Sequence, residues 1–543
     1  MAAVLVTKKT PIMKIASKLP LLFIVLIAGL LRFWQLGNIP AGPNWDEAAI
    51  GYNGWSVWQT RRDEWLERLP ISFRSFGDYK APLAIYANGL FTSLLGLNVW
   101  VIRLPFALSG VLGVVCFYYL ISNLLALKQK QKSYSSSKWL AVIGSATLAI
   151  SPWHILFSRV GFESGLALTE VILATTLLLL SVQKKWPRWQ VSGLQITSGL
   201  IFASTFYTYH SAKVMVPIFL IFLLFLLQRS KLLSIKHGFL YLSGIIVAII
   251  PFILDSLLGE GLARASVTIF AQKLSFPDLI TTLVQNILAH LNPKFLVMGQ
   301  ADSIRHSIGS MGVLFPSTVF LAIIGFISSL RGRRTFIWQL SLIWIVAGLV
   351  PAIIGVEVPH PNRALLALPG FILLALLGLD HLTKIIFSFV KPNRKIQIAL
   401  ICLLVVVEIT QLSLFLHQYF GTYARQSSSS FQDGYTEMFA EVWSYYDGNN
   451  GKHSVDQIVI TSEYGQPYIY ALLTRKISTL QYHNGALINF LFPDVVQLSD
   501  LDRPNALVVA GEKSDLIDRT KAVKVIYSKD GQPRFWLFDT NLL

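Results

Sequence analysis

Two carboxylates stand side by side at Asp46 and Glu47, in the stretch Gly42-Pro-Asn-Trp-Asp-Glu-Ala that follows the first long apolar run. Just outside a bilayer, and flanked by Trp45 and Trp55, such a pair can take a proton from a nucleophile. It can equally cap a helix starting near Ala48, because acids favour helix N-termini. The two uses are compatible. Downstream, Phe76-Gly-Asp-Tyr-Lys80-Ala-Pro82-Leu sets Asp78 and Lys80 immediately before another helix-like stretch. An ammonium at that level meets lipid phosphates in general or one bound phosphate in particular.

Four further turns carry ionisable groups. Arg159 and Glu163, in Ser158-Arg-Val-Gly-Phe-Glu, are four apart, and either pair with each other or face a site shared with Asp46. His210 and Lys213 share the turn Tyr207-Thr-Tyr-His-Ser-Ala-Lys; Arg305 precedes His306; His360 and Arg363 bracket His-Pro-Asn-Arg. A lone histidine in a turn is more often structural than a ligand, so the sum of these groups carries more weight than any one of them. Five outer segments each present a carboxylate, a base or a cation at one membrane level. A transporter instead places its ionisable groups at mid-membrane. Here Asp255, Asp380 and Glu408 lie near span ends or singly.

These turns have to be held by membrane helices. The chain has 543 residues, 53% hydrophobic and 14% charged, with a mean hydropathy of +0.55. Soluble domains carry about 25% charged residues, so most of this chain does not face water. Eleven apolar runs approach the roughly 20 residues that cross a bilayer, at 19–36, 99–127, 139–157, 165–182, 191–209, 213–228, 238–257, 312–330, 336–355, 364–382 and 396–418. Lysine and arginine crowd the N-terminal tail and the loops 128–138, 184–188, 229–236, 331–334 and 384–395. With eleven spans all of these fall on one side, the positive-inside pattern, which puts the N-terminus in the cytoplasm. That distribution also explains the net charge of +17 without nucleic acid.

The N-terminal tail with Lys8, Lys9, Lys14 and Lys18 before an apolar run is like a signal peptide. It has no small-x-small cleavage site before Asn38, so it reads as an uncleaved first helix. Cys116 and Cys402 both lie in apolar runs, which argues against a disulfide framework or a metal–thiolate site. Outside fall the first loop 37–98, the turn 158–165, the loop 258–311, the turn 356–363 and the tail. In the first loop, 48–58 and 82–97 read as helices lying in the interface. In the tail, 457–461 and 506–510 are β-rich, 466–475 is helical, and 524–528 and 535–539 suit further strands. The expected organisation is a transmembrane region, 1–420, and a small extracytoplasmic α/β domain, 421–543.

Asp46-Glu47 after the first span, Asp78-Tyr-Lys80-Ala-Pro82-Leu in the first loop, and Ser158-Arg159 with Glu163 together resemble the C-type membrane glycosyltransferases that use polyprenol-phosphate sugars. They are similar to the bacterial members of glycosyltransferase family 39, which include protein O-mannosyltransferases and the lipid A aminoarabinose transferase. The resemblance covers roughly 1–420 in order of elements. It departs from the family in the first loop, where Glu-Lys-Pro-Pro is frequent and this chain has Asp78-Tyr79-Lys80-Ala81-Pro82, and at Glu163, where aspartate is common.

The resemblance implies a polytopic α-helical membrane protein of the C-type glycosyltransferase fold, multi-pass in the plasma membrane. It implies a sugar on a polyprenyl phosphate as donor, a protein, lipid or glycan as acceptor, Asp46 as general base and Glu47 as its support. A single base implies inversion at the anomeric carbon. The leaving phosphate needs fixed cations, with Lys80 first, then Arg363, then Arg159 and Lys213. Asp78, Glu163, His210, Arg305, His306 and His360 complete the substrate-binding set. No spacing matches a metal motif, and a divalent ion held by Asp46, Glu163 or His306 stays open. Two rival readings remain: a surface-polysaccharide ligase or polymerase, and a lipid-linked-sugar flippase. A receptor anchored by eleven helices has far more membrane than it needs.

Overall fold

The computed structural model describes residues 19–128, 137–183, 186–258, 266–299, 303–331, 335–389, 394–449, 451–514 and 517–543. Apolar runs in lipid must close their backbone hydrogen bonds within the segment, and these do so as helices. Among the described residues, six are long and apolar enough to cross a membrane: Val99–Leu127, Glu163–Ser181, His210–Arg229, Phe336–Ile353, Pro361–Ser388 and Ile398–Gln426. Ile235–Ala248 and Ile250–Leu257, bent by 52°, make a seventh if taken as one span. The protein is thus a multi-pass membrane protein, but eleven full-length spans are not reached among the described residues. The runs at 19–36, 139–157 and 312–330 contain the shorter helices Leu19–Phe33, Trp139–Ile150 and Pro316–Leu330. The second of these stops where Pro152 follows Ser151 and a new short helix begins. The basic N-terminal tail lies outside the described residues, as do parts of the loops 128–138, 184–188, 331–334 and 384–395.

In chain order, α1 (Leu19–Phe33) leads into the first loop, which contains α2 (Trp45–Thr60), a hairpin of β1 (Phe73–Ser75) and β2 (Asp78–Lys80), and α3 (Pro82–Leu95). The bundle continues with α4 (Val99–Lys128), α5 (Ser137–Ile150), α6 (Pro152–Phe157), α7 (Glu163–Ser181), α8 (Arg188–Ser204), α9 (His210–Arg229), α10 (Ile235–Ala248) and α11 (Ile250–Leu258). A helix of the loop 258–311, α12 (Phe276–Leu291), precedes α13 (Pro316–Arg331), α14 (Phe336–Ile353), α15 (Leu368–Phe389) and α16 (Arg394–His417). The helix α12 went unforeseen in the loop 258–311. Where α13 crosses α15 the backbones touch: a Cβ on Gly325 would overlap the Leu374 carbonyl, and one on Gly378 the Leu321 carbonyl. Small residues permit this approach, which stands in for a hydrophobic drive between helices in lipid.

The tail holds α17 (Tyr435–Tyr446), β3 (Gln457–Ile460), α18 (Pro467–Arg475), β4 (Phe490–Leu491), β5 (Ala506–Ala510), β6 (Lys524–Tyr527) and β7 (Pro533–Asp539). They form one five-stranded sheet in the order β4-β3-β5-β7-β6. β3 runs parallel to β4 and β5, while β7 is antiparallel to β5 and β6. The central strand, Ala-Leu-Val-Val-Ala, is buried along its whole length, as a strand covered on both faces must be. Its residues alternate between two cores: Leu507 and Val509 face the helices, Val508 and Ala510 the opposite side.

The first of those cores is shared with the first loop. Ala48, Ala49 and Tyr52 of α2 pack with Ile469, Tyr470 and Ile477 of the tail. Polar links reinforce the seam: Tyr52 Oη donates to the Ile477 carbonyl at 2.8 Å, Tyr470 Oη to that of Pro43 at 2.9 Å, and Thr479 Oγ1 to that of Asp63 at 2.6 Å. So α2 is not a helix floating in the interface. Most of its length is buried, because the tail covers the side that the sequence alone assigns to the membrane surface.

Candidate functional site

The first turn of α2 separates the two carboxylates. Asn44 caps the helix; its Oδ1 accepts from the backbone N–H of Asp46 at 2.8 Å and of Glu47 at 3.1 Å, while Glu47 Oε2 accepts from the N–H of Asn44 at 3.2 Å. This reciprocal cap satisfies donors that a helix start leaves open. It also aims Glu47 inward, where the side chain is 0% exposed. Arg103 of α4 meets it through Nε at 2.8 Å and Nη2 at 3.0 Å, and the Gly161 N–H donates at 2.8 Å. The same guanidinium donates to the carbonyls of Leu36, Pro40 and Gly42. Glu47 and Arg103 thus fasten the chain before α2 to the bundle. Arg103 escaped the sequence reading, although an arginine inside an apolar span is a signal in itself.

Asp46 turns the other way and keeps 30% of its side-chain surface exposed. Lys80 Nζ donates to its Oδ1 at 2.5 Å, and Arg305 Nη1 lies 4.0 Å from its Oδ2. Lys80 is delivered by the β1–β2 hairpin, whose two-residue loop has both Phe76 (φ 53°) and Gly77 (φ 77°) left-handed. Such a turn suits the strand twist but strains a bulky residue. Phe76 is held there by an edge-on contact with Tyr468 of the tail, rings 6.0 Å apart. Asp78, half-buried, accepts from the adjacent Tyr79 N–H at 2.8 Å.

Arg305 is fixed from three directions. Its guanidinium lies 4.6 Å above the Trp45 ring, its Nε donates to the Ser430 carbonyl at 3.2 Å, and its far end approaches Asp46. Trp45 is in turn backed by Gly465, the point where a Cβ would strike the indole. His306 stacks on Phe157, 6.2 Å between rings, and lies 4.8 Å from the His360 ring. Burial first, with the neighbouring His360 ring and the Arg305 guanidinium opposing a second positive charge, pushes the His306 imidazole down to about 3; burial likewise lowers His360. Both rings are therefore neutral near pH 7. His360 Nε2 lies 3.3 Å from Glu357 Oε2, and Arg363 Nη2 3.6 Å from it. Its hydrogen bond to His360 holds Glu357 down at about 2. Glu357 was not singled out from sequence, although it sits in the outer turn 356–363.

His210 Nε2 lies 3.0 Å from the Tyr79 carbonyl, and Lys213 Nζ 3.2 Å from His210 Nδ1, so the pair is tied to the strand that carries Lys80. His210, Lys213 and Arg363 line one cleft of about 640 Å³ between α9, the end of α14 and the segment 266–271. Its remaining wall is largely apolar, with Val214, Val267, Phe270 and Ile354. Such a cleft fits a hydrocarbon chain carrying an anionic head.

Arg159 is put to a different use. Fully buried, it donates to the carbonyls of Leu31, Arg32, Trp34 and Ile39 and to Tyr419 Oη. It satisfies carbonyls that the end of α1 leaves open. Glu163 opens α7 half-buried. Asp46, Glu163 and His306 form no metal-holding group of three among the described residues.

The fold is that of the C-type glycosyltransferases. Residues 79–254 match the model of the dolichyl-phosphate-mannose-protein mannosyltransferase family. Among solved structures, the chain is similar to ArnT from Cupriavidus metallidurans bound to undecaprenyl phosphate, with a TM-score of 0.53 and 12% identity over 97% of this chain and 99% of that one. It is also similar to the oligosaccharyltransferase of Archaeoglobus fulgidus tethered to an acceptor peptide, at a TM-score of 0.54 and 15% identity over 96% of this chain and 74% of that one. The archaeal oligosaccharyltransferase AglB from Archaeoglobus fulgidus, in complex with an inhibitory peptide and a dolichol-phosphate, gives 0.52 and 14% over 97% and 74%. No curated protein matches in sequence.

Proposed function

We propose that this chain moves a sugar from a polyprenyl-phosphate donor to an acceptor at the outer face of the plasma membrane, inverting at the anomeric carbon, with Asp46 as general base. The observation that carries the reading is the contrast within one helix turn: Glu47 is sealed against Arg103, while Asp46 stays part-exposed among Lys80 and Arg305. In this reading Glu47 is a positioning residue. The donor's tail occupies the cleft beside α9, its phosphate held by Lys213 and Arg363, with Lys80 and Arg305 neutralising the charge that grows on the leaving oxygen. His210 and His360 orient those cations, and neutral His306 walls the site. Asp78 and Arg159 act through the backbone they hold, and Glu163 through its place at the start of α7. The N-terminus lies in the cytoplasm and the tail domain, 421–543, outside.

Two of the resembling proteins support the donor class, since their complexes contain undecaprenyl phosphate or a dolichol-phosphate. The test is to supply proteoliposomes holding the purified chain with polyprenyl-phosphate sugars of different kinds. Release of free polyprenyl phosphate with one donor, and a product of opposite anomeric configuration, is expected. Absence of release across hexosyl and pentosyl donors, or retention of configuration, would contradict the reading. Replacing Lys213 or Arg363 with Gln should raise the donor KM by about tenfold or more, the scale of one lost charge-assisted contact.

A further inference from the structure

The base of the proposed reaction is held in a form that cannot act as one. Both oxygens of Asp46 face cations, Lys80 Nζ at 2.5 Å and Arg305 Nη1 at 4.0 Å. Opposite charges that close favour a carboxylate's ionised form over its protonated one, so the two cations oppose proton uptake at Asp46. Three further neighbours of Asp46 among the described residues leave these two cations in place. His306 lies within its electrostatic range but is neutral, Tyr470 of α18 is buried, and the neighbouring Glu47 is taken up by Arg103.

Lys80 is held against Asp46. It is 5% exposed, and among the described residues its ion-pair partner is Asp46. A second carboxyl within its electrostatic range is Glu64, which is buried and is pushed up to about 8 by that burial and by Asp63. It is therefore protonated near neutral pH and does not draw Lys80 away. What can draw Lys80 and Arg305 is a stronger anion entering from outside, and a phosphate is one: it takes ammonium and guanidinium donors in shorter, charge-assisted bonds.

Resting on the function proposed above, we infer that the donor's own phosphate unlocks the base: by engaging Lys80 and Arg305 it releases Asp46, so the donor must bind before an acceptor can be deprotonated. The step then balances. The acceptor's hydroxyl or amine proton passes to an Asp46 oxygen, the acceptor lone pair forms the bond to the anomeric carbon, and the anomeric C–O bond breaks with its electron pair going to the phosphate oxygen that Lys80 and Arg305 hold. When the lipid phosphate leaves, the cations return to Asp46 and the site closes chemically until the next donor arrives.

The test reads Asp46 directly and needs no turnover. Isotope-edited infrared titration of the full chain in nanodiscs, with the band assigned by Asp46→Asn, gives the midpoint of Asp46 ionisation with and without undecaprenyl phosphate. The lipid should lower the carboxyl's acidity about tenfold or more, the scale of one lost cation. Lys80→Gln should produce much of that change without lipid, and Arg305→Gln a smaller one; either variant serves if the other fails to fold. An Asp46 midpoint unmoved by bound lipid, in a protein that still transfers sugar, would overturn the inference and leave the function standing. Failure of the lipid to bind at all would overturn both.

Discussion

At the residue scale, two adjacent acids have opposite fates because one helix cap orients them. Glu47 and Arg103 are both 0% exposed, and removing one partner of such a pair leaves a buried charge uncompensated, at a cost of about 3–5 kcal/mol. Arg103→Leu is therefore expected to lower the Tm of the detergent-purified protein sharply, and Glu47→Leu, Arg103→Leu together should recover part of the loss. A Tm unaffected by the single change would deny the clamp. Glu64 supplies a pH-dependent counterpart. Burial raises it from 4.5 to about 8, so the folded chain keeps its proton while the unfolded chain loses it. The stability this gives is complete below about pH 4.5 and lost as pH rises toward 8. Glu64→Gln should thus gain Tm over the parent progressively between pH 5 and pH 8; an unchanging difference would contradict the burial argument. Asp46, Lys80, Arg305, His360 and Arg363 were legible as chemistry-bearing residues in outer turns. The fate of Glu64 was not, because the tail residues beside it, with His483 Nε2 2.9 Å from its carbonyl, lie some four hundred positions along the chain.

At the element scale, the site hangs on the β1–β2 hairpin and on the stack of Gly465, Trp45 and Arg305. A side chain at Gly465 would drive the indole toward Arg305 and shift the guanidinium from Asp46. Gly465→Val should therefore lower kcat by about tenfold or more, because small misplacements at a reacting centre are amplified, while donor KM moves little. A normal kcat would show that the tail does not hold Arg305. Elements with strong periodicity were legible. The strands Gln457–Ile460 and Ala506–Ala510 and the helix Pro467–Arg475 fall where the pattern put them. The two-residue strand Phe490–Leu491 and the helix Tyr435–Tyr446 did not declare themselves. The first is too short to show alternation, and the second is so rich in aromatics that its helical stripe is masked.

At the scale of the whole molecule, the tail and the first loop share one hydrophobic core, so the tail's sheet is part of the site's wall. Ending the chain after Gln426 would expose Ala48, Ala49 and Tyr52 of α2, and the truncated protein should lose both transfer and thermal stability; full activity without the tail would refute that coupling. The membrane architecture was visible from hydropathy alone, yet the span count was not, since runs such as 139–157 break at a proline that leaves the mean hydropathy high. The central claim is that Asp46 accepts the acceptor's proton, and one comparison tests it most directly: release of free polyprenyl phosphate, in the presence of acceptor, by the parent and by Asp46→Asn at equal expression and equal donor binding. The account predicts a loss of at least about a hundredfold, the lower end of what a general base contributes. Turnover within a few-fold of the parent would contradict it.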